Sequence, residues 1–565
     1  MSISRTSRRT GTRIVLILTV VVSYCTLLPA AESEKDYLNA KPEIVRQWRD
    51  LKFGLFIHWG PVSVKGTEIG WSRGGERRGR TGRGSIPADI YDNLYKQFNP
   101  VKFNAREWVK IAQDAGMKYL VFTSKHHDGF SMFDTKHSEY KITNSPFKRD
   151  VVKELADACH DAGILLGYYY SPPDWYHPDY RTERHEKYIQ FMHNQLREIC
   201  TNYGRIDIIW FDGLGGSSKD WDSENLLKMI RQLQPDVIIN NRAGIAADFD
   251  TPEQRIGSFQ PERPWETCMT ICRQWAWKPN DNMKSLQQCI HTLVRVVGGN
   301  GNLLFNVGPM PDGRIEPRQV QRLKEMGDWL KQYGQTIYDT RGGPFKPGPW
   351  GASTYKGNSI YLHILQPEDS TLVLPPINKK IIAYKDLTLD AATVTQSREN
   401  ITVLVPQTDT PQMDIIIQLV LDGPAKDIAP VGIRSGSLTA GMKTKASNTF
   451  QNNKTYGPDK AVDDDSSTRW ATDSGIHQAW LEIDLGKSQT FHRARIREAF
   501  ARVQKFELQY HKDNQWNTFL TDKKIGDDWS KTFKPITAQH VRLNILQAAD
   551  GPTIYEFQLF APRKK

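Results

Sequence analysis

Between residues 53 and 310 short apolar runs alternate with longer amphipathic stretches, a pattern that few folds accept. The runs are Phe53–Trp59, Tyr119–Thr123, Leu165–Tyr170, Ile206–Phe211, Val237–Asn240 and Leu303–Val307. Between them lie Asn104–Ala115, Val151–Ala162, Glu186–Thr201 and Glu224–Leu233, which carry helical periodicity. Runs that are apolar throughout predict strands buried on both faces, as in a parallel sheet covered by helices. At this length a (β/α) TIM-like barrel is favoured over an open doubly wound sheet. No glycine-rich phosphate fingerprint follows the first run, which counts against a nucleotide-binding arrangement. A helix over Arg318–Tyr333 closes the region, assigned to residues 36–345.

The chain has 565 residues, more than one domain accommodates. A Gly- and Pro-rich loop, Gly342–Gly351, marks a boundary, and Ser359–Leu365, Thr371–Leu374 and Ile415–Leu421 beyond it predict a β-sandwich over 346–424. Large apolar residues thin out across Asp422–Lys443, so 425–435 reads as a linker. Strand-like pieces at Ala479–Asp484, Phe506–Tyr510 and Tyr555–Phe560 then predict a second β-domain. At the N-terminus Arg5, Arg8, Arg9 and Arg13 precede an apolar run, Ile14–Leu28, and small residues at Ala30 and Ala31. This predicts a signal peptide over 1–31 and an exported protein, periplasmic or extracellular. The run falls short of the roughly 20 residues that span a bilayer, so stable membrane insertion is not expected after cleavage.

The formal charge of +11 needs discounting, because the leader supplies four of the positive charges. Arg73, Arg77, Arg78, Arg80 and Arg83 crowd one glycine-rich stretch, read as a solvated loop that could meet an acidic glycan. Basic residues interleaved with base-stacking aromatics are lacking, so nucleic acid is not an expected partner. Beyond Cys25, the cysteines at 159, 200, 268, 272 and 289 are odd in number, and Cys268 and Cys272 lack a second pair that would complete a zinc site. They read as buried thiols.

Reactive residues of a barrel stand at the C-terminal ends of its strands. Those ends read His58-Trp59-Gly60, Lys125-His126-His127-Asp128-Gly129, Tyr168-Tyr169-Tyr170-Ser171, Trp210-Phe211-Asp212-Gly213 and Asn240-Asn241-Arg242, with Pro264-Trp265-Glu266-Thr267-Cys268 in the loop beyond. Imidazole, phenol, guanidinium and amide groups exchange hydrogen bonds with sugar hydroxyls, and tryptophans offer flat faces to a pyranose. Two carboxylates from separate strands are the requirement of glycoside hydrolysis. Adjacent strand residues point to opposite faces, which argues against one metal ion on His126 and His127. Taken singly, Asp212 reads as a helix cap, Glu266 as a salt-bridge partner and His58 as a structural group. Their joint occurrence at successive strand ends carries the reading.

The stretches Phe53-Gly54-Leu55-Phe56-Ile57-His58-Trp59-Gly60, Lys125-His126-His127-Asp128-Gly129-Phe130, Trp210-Phe211-Asp212-Gly213, Trp265-Glu266-Thr267-Cys268-Met269-Thr270 and Gly301-Asn302-Leu303-Leu304-Phe305-Asn306-Val307-Gly308-Pro309 resemble glycoside hydrolase family 29, the α-L-fucosidases. The resemblance implies a (β/α) barrel followed by a β-sandwich. It also implies double displacement through a covalent fucosyl-enzyme, releasing terminal α-L-fucose from an oligosaccharide or polysaccharide without a cofactor. By the motifs, Asp212 resembles the nucleophile and Glu266 the general acid/base. His58, His126, His127, Tyr170, Trp210 and Arg242 resemble the residues that hold fucose. Glu68 and Trp71 match the family's Glu–Trp element, although Ile69 and Gly70 separate them. Arg242 or the histidines would keep Asp212 ionised, and an apolar wall such as Trp265 would keep Glu266 protonated. A related α-L-glycosidase, such as an α-L-galactosidase, and a non-catalytic glycan-binding protein are the alternatives.

Residues 436–562 carry Ala446-Ser447-Asn448, Ala461-Val462-Asp463-Asp464-Asp465, Thr468-Arg469-Trp470 and Leu481-Glu482-Ile483-Asp484-Leu485-Gly486. These resemble a discoidin-type (coagulation-factor type C) domain, a β jelly-roll shared with carbohydrate-binding modules of family 32. Asp463 and Asp465, with Ser467 or Thr468 and Glu556, resemble its structural calcium site, for which oxygen-rich ligation is suitable. The same residues also read as an acidic solvated turn. No motif specifies an oligomeric state.

Overall fold

The computed structural model describes residue 2 and residues 36–365, 371–405, 412–433, 436–465 and 468–562. The signal peptide expected over 1–31, apart from residue 2, and Ser467 lie outside the described residues. Among the described residues no helix is long and apolar enough to cross a membrane.

The expected apolar runs form a parallel sheet of β1 (Phe53–Ile57), β2 (Tyr119–Lys125), β3 (Leu165–Tyr170), β4 (Ile208–Phe211), β5 (Ile238–Ile239), β6 (Glu266–Thr270) and β7 (Asn302–Val307). Its order is β5-β4-β3-β2-β1-β7-β6. Every residue of β1, β2 and β7 is buried, the physical reason for runs without alternation. The stretch 248–254 stands between the two ends of the sheet. Parallel bridges join Phe249 to Asn240 after β5, and Asp250 and Glu253 to Trp265 and Cys268 beside β6, so the ring of strands is completed as in a TIM-like barrel. The apolar pattern leaves Pro264–Cys268 in a loop. The structure makes Glu266–Thr270 a strand whose polar residues Glu266, Thr267 and Thr270 are buried and hydrogen-bonded, which hides it from an apolar pattern.

Helices at 105–114, 151–162, 185–202, 223–233, 286–298 and 317–333 accompany the sheet. Asn104 and Asp150 begin the first two, each accepting from the backbone N–H three residues on. Ser285 and Gln288 form a reciprocal capping box at Leu286–Gly298. Inside the barrel, Phe56, Tyr119, Tyr169, Trp210, Cys268 and Leu304 belong to one buried cluster. Gly54 makes room for it, because a Cβ there would collide with the Tyr119 ring. The five described cysteines are buried and free, as read from their number and spacing.

Residues 341–421 form a five-stranded and a three-stranded antiparallel sheet sharing one apolar core. Ala425 and Ile428 pack into that core, so the start of the expected linker belongs to this unit. Beyond it, an antiparallel sheet contains two 20-residue strands, Ala479–Glu498 and Trp529–Ala548. Register shifts within their pairing let them bend around a second core.

Candidate active site

Where β4 ends, Asp212 meets a ring of donors. Tyr169 at the end of β3 donates its hydroxyl to Oδ2 at 3.1 Å, and Nη1 of Arg242 donates to Oδ1 at 3.1 Å. His127, just past β2, brings Nε2 to 3.5 Å from Oδ2, while its Nδ1 lies 2.6 Å from the Ser171 hydroxyl. Burial would raise the carboxyl's pKa, but hydrogen bonding from His127 and the charge of Arg242 outweigh it and hold Asp212 well below the usual carboxylate range. The group is therefore an anion in an aromatic recess.

Arg242 is itself fixed by Thr251, through Nε to Oγ1 at 2.8 Å and Nη2 to the backbone oxygen at 2.9 Å. Its guanidinium lies over the Trp210 ring at 4.7 Å. The same Nη1 that reaches Asp212 also donates to Oε2 of Glu253 at 2.9 Å. Two carboxylates thus share one nitrogen, and their oxygens can be no farther apart than those two bonds together. That bound admits the roughly 5–5.5 Å separation of a retaining carboxylate pair.

His58 and His126 complete the wall. His58 Nδ1 lies 2.7 Å from Oδ1 of Asn306 on β7, which places the proton on Nδ1 and leaves Nε2 as an acceptor. Burial brings its pKa down to about 3, so the ring is neutral. His126 stacks on Tyr169 with ring centres 5.4 Å apart and planes 7° from parallel. Its close neighbour is Gly70, whose φ of +64° and whose missing Cβ, which would lie 2.7 Å from His126 Nδ1, both require glycine. Trp71, Leu214, Cys268 and Trp275 line the remainder of the pocket.

Three of the expected site residues stand elsewhere. Glu266 begins β6, at the end of the strand remote from the pocket, and is wholly buried. It accepts from Tyr119 Oη at 2.5 Å and Trp210 Nε1 at 3.1 Å, and burial pushes its pKa up to about 8. It is protonated at neutral pH, as expected, but by the barrel interior rather than by Trp265. Tyr170 alternates away from the pocket, donating to Gln195 at 2.8 Å, and its neighbour Tyr169 takes the place at Asp212. Glu68 accepts from the backbone N–H groups of Ile69, Trp275 and Ala276 at 3.1, 2.9 and 3.0 Å. It positions Trp275, whose ring centre lies 4.8 Å from that of His58.

The arginine-rich stretch is docked at Arg73 and Arg77, whereas Arg80 and Arg83 stay exposed as expected of a solvated loop. Arg73 forks onto Asp92 at 2.6 and 2.7 Å. The Arg77 guanidinium lies 5.2 and 5.0 Å from the Trp71 and Trp175 ring centres and donates to the Trp71 carbonyl. The sequence offered no signal for Glu253, which lies in a stretch without helical or strand-like periodicity. Tyr169 was legible within the Tyr168–Tyr170 run, but its face was not.

The Tyr169 placement makes a clear expectation. Tyr169→Phe should lower kcat by about tenfold through loss of one charge-assisted hydrogen bond to Asp212. Tyr170→Phe should leave kcat within twofold and cost about 1 kcal/mol of stability instead. Steady-state rates alongside thermal unfolding distinguish the two.

In the C-terminal unit Glu556 is buried and neither carboxyl oxygen has a hydrogen-bond donor. Burial, then the charges of Asp464 and Asp463, push its pKa up to about 9. Asp463 accepts from the Thr468 hydroxyl at 2.8 and 2.9 Å and from the Asp465 N–H at 3.1 Å. Among the described residues, however, no three acidic, histidine or cysteine side chains gather into a metal-ligating group. The set that the discoidin resemblance implies for calcium, Asp463, Asp465, Thr468 and Glu556, includes a hydroxyl as well as carboxylates, with Glu556 left unpartnered beside the aspartates.

A barrel with two carboxylates held on one arginine at its C-terminal mouth, inside an aromatic wall, has the equipment of a glycoside hydrolase. The sequence pattern described as "Alpha-L-fucosidase" matches residues 24–335, and that of the "F5/8 type C domain" matches 443–557. The human plasma alpha-L-fucosidase is 32% identical over 362 residues, covering 56% of this chain and 76% of the relative. Among solved structures, alpha-L-fucosidase isoenzyme 1 from Paenibacillus thiaminolyticus superposes with a TM-score of 0.61 at 34% identity, covering 67% of this chain and 99% of that one. A family 29 alpha-L-fucosidase from Bacteroides thetaiotaomicron, trapped as a covalent intermediate with 2-fluoro-fucosyl fluoride, gives 0.60 at 28% identity, covering 68% and 97%. The fold extends further: an alpha-L-fucosidase from Vibrio sp. strain EJY3 covers 93% of this chain and 99% of its own with a TM-score of 0.65 at 22% identity. The chain belongs to the family 29 alpha-L-fucosidases, a family of glycoside hydrolases, and carries a C-terminal F5/8 type C (discoidin) domain.

Proposed function

We propose that this enzyme is an exported, retaining exo-α-L-fucosidase in which Asp212 is the nucleophile and Glu253, rather than Glu266, is the general acid/base. The observation that carries this reading is the Arg242 Nη1 atom shared by Asp212 and Glu253. Asp212, ionised, attacks the anomeric carbon. Glu253 gives its proton to the leaving oxygen, then takes one from the water that hydrolyses the fucosyl-enzyme. Neutral His58, with its Nε2 lone pair, and His126 hold sugar hydroxyls. Trp71, Trp210 and Trp275 provide apolar faces, and no cofactor takes part. The covalent intermediate of the Bacteroides relative supports the retaining course.

We assign residues 36–345 to catalysis, 346–424 with its Ala425–Ile428 extension to a β-sandwich, and 436–562 to a glycan-binding module of jelly-roll form. Hydrolysis of 4-nitrophenyl α-L-fucoside followed by NMR should show the α-anomer of fucose first, with the β-anomer appearing only by mutarotation. First appearance of the β-anomer would overturn the assignment of Asp212 as a covalent nucleophile.

A further inference from the structure

A larger cavity lies apart from the pocket. It encloses about 720 Å³ between residues 255–259, Arg295 on the helix Leu286–Gly298, the loop 346–349 and one sheet face of the C-terminal domain. Residues 255–259 follow Glu253 directly in the chain, so one wall of the cleft continues the loop of the proposed acid/base.

The sheet face is set by a short alternation, Arg493-Ala494-Arg495-Ile496-Arg497. Ala494 and Ile496 are buried in the domain core, and period-two geometry turns the arginines to the other face. Arg495 is saturated by a fork onto Asp528 at 2.7 and 2.5 Å. Arg497 has no acceptor in a side-chain hydrogen bond or ion pair among the described residues, and neither has Arg295 across the cleft. Burial, and then the charges of Arg497 and Arg495, bring the Arg295 pKa down to about 10. Two guanidinium groups that repel one another in a recess keep unspent donors, with Asp528 acting on both only as a longer-range counter-charge. Their planar forks match the oxygens of a sulfate or a carboxylate.

The acidic residues of the same cleft narrow the ligand. Asp528 is held by Arg495, and Asp463 by Thr468 and by Lys460 at 3.7 Å. Asp464 accepts from Gln558 at 3.3 Å. Such carboxylates would repel a dense polyanion but accept hydroxyl hydrogens. Phe259 and Tyr555 add aromatic surface. The fitting ligand is a hydroxyl-rich chain carrying an isolated negative group.

We propose that the cleft binds the sulfate or carboxylate of an acidic glycan between Arg295 and Arg497. In this way the substrate chain is anchored to the C-terminal domain beside the Glu253 loop. The proposal rests on the fucosidase reading for the identity of the chain, but not for the binding of the anion.

The test uses the full chain, its Arg295→Gln and Arg497→Gln variants, and sodium sulfate against sodium chloride at equal ionic strength. Sulfate should raise the wild-type unfolding midpoint saturably, and each substitution should weaken that response about tenfold. Without sulfate the variants should be as stable as the wild type or more so, because each removes an unpaired like charge. A large fall in their midpoint would make the arginines structural and overturn the proposal. For hydrolysis, KM for a singly sulfated or a uronate-bearing fuco-oligosaccharide should lie about tenfold below that for its neutral counterpart. The variants should lose this difference with kcat kept within twofold. Preference for the sulfated chain identifies the sulfate ester as the anion, and preference for the uronate-bearing chain identifies the carboxylate. No saturable sulfate response in the wild type, or equal KM for all three chains, overturns the proposal. Sulfate stabilisation without turnover of 4-nitrophenyl α-L-fucoside would overturn the fucosidase reading and leave the anion site standing.

Discussion

Asp212→Gly is expected to lower kcat by roughly four orders of magnitude or more while fucose still binds. The scale is that of removing a covalent nucleophile from an otherwise intact site. Binding survives because His58 is anchored by Asn306 and Arg242 by Thr251, and neither anchor depends on the lost carboxylate. Removing it also leaves Tyr169 and Arg242 free to meet sugar oxygens. Rates with 4-nitrophenyl α-L-fucoside, set beside calorimetric titration with fucose, check both halves. Turnover near the wild-type rate would sink the assignment. Restored turnover on addition of azide, with inverted fucosyl azide as product, would confirm that the glycine leaves room for an external nucleophile on the Asp212 side.

Glu253→Gln and Glu266→Gln should behave in opposite ways. Loss of a general acid/base costs about 10²–10⁴ in rate, and the loss at Glu253 should be largest for natural glycans, whose leaving alcohols need protonation. With 4-nitrophenol as leaving group the first step needs little acid help, so azide should accelerate the variant by attacking the fucosyl-enzyme. Glu266→Gln should keep kcat within about tenfold, because a neutral amide can accept from Trp210 and exchange a hydrogen bond with Tyr119 much as the protonated acid does. Its effect belongs to stability. The folded-state pKa of Glu266, about 8, lies above the ordinary value of 4.5, so its contribution is complete below about 4.5 and is lost as pH rises through about 8. The wild type should therefore lose stability from this group between about pH 4.5 and pH 8, and Glu266→Gln should flatten that decline. Equal rate losses in the two variants would return the acid/base role to Glu266.

These two glutamates show what pattern can and cannot reveal. Glu266 stood in a recognisable motif and was assigned a proton-transfer role. The barrel instead starts β6 at this residue, which puts its carboxyl beneath Trp210 instead of above Asp212. Glu253 carries no periodicity and no motif, and it reaches the site only because residues 248–254 pair with the chain on both sides as a missing strand of the ring. Tyr169 and Tyr170 differ by one residue and hence by one face, a distinction that depends on β3 register against its neighbours.

From the order of its residues alone, the chain determined its parallel strands, the helices between them, two further β-units and the place of Asp212 at a strand end. Those are consequences of local periodicity and of strand ends, where one residue's neighbours in sequence are also its neighbours in space. The approach of Glu253 to Arg242, the tyrosine that touches Asp212, the inward place of Glu266 and the docking of Arg73 and Arg77 were decided only by the closed tertiary structure. Each depends on contacts between segments far apart in the chain, and burial there sets which carboxyl is ionised and which keeps its proton.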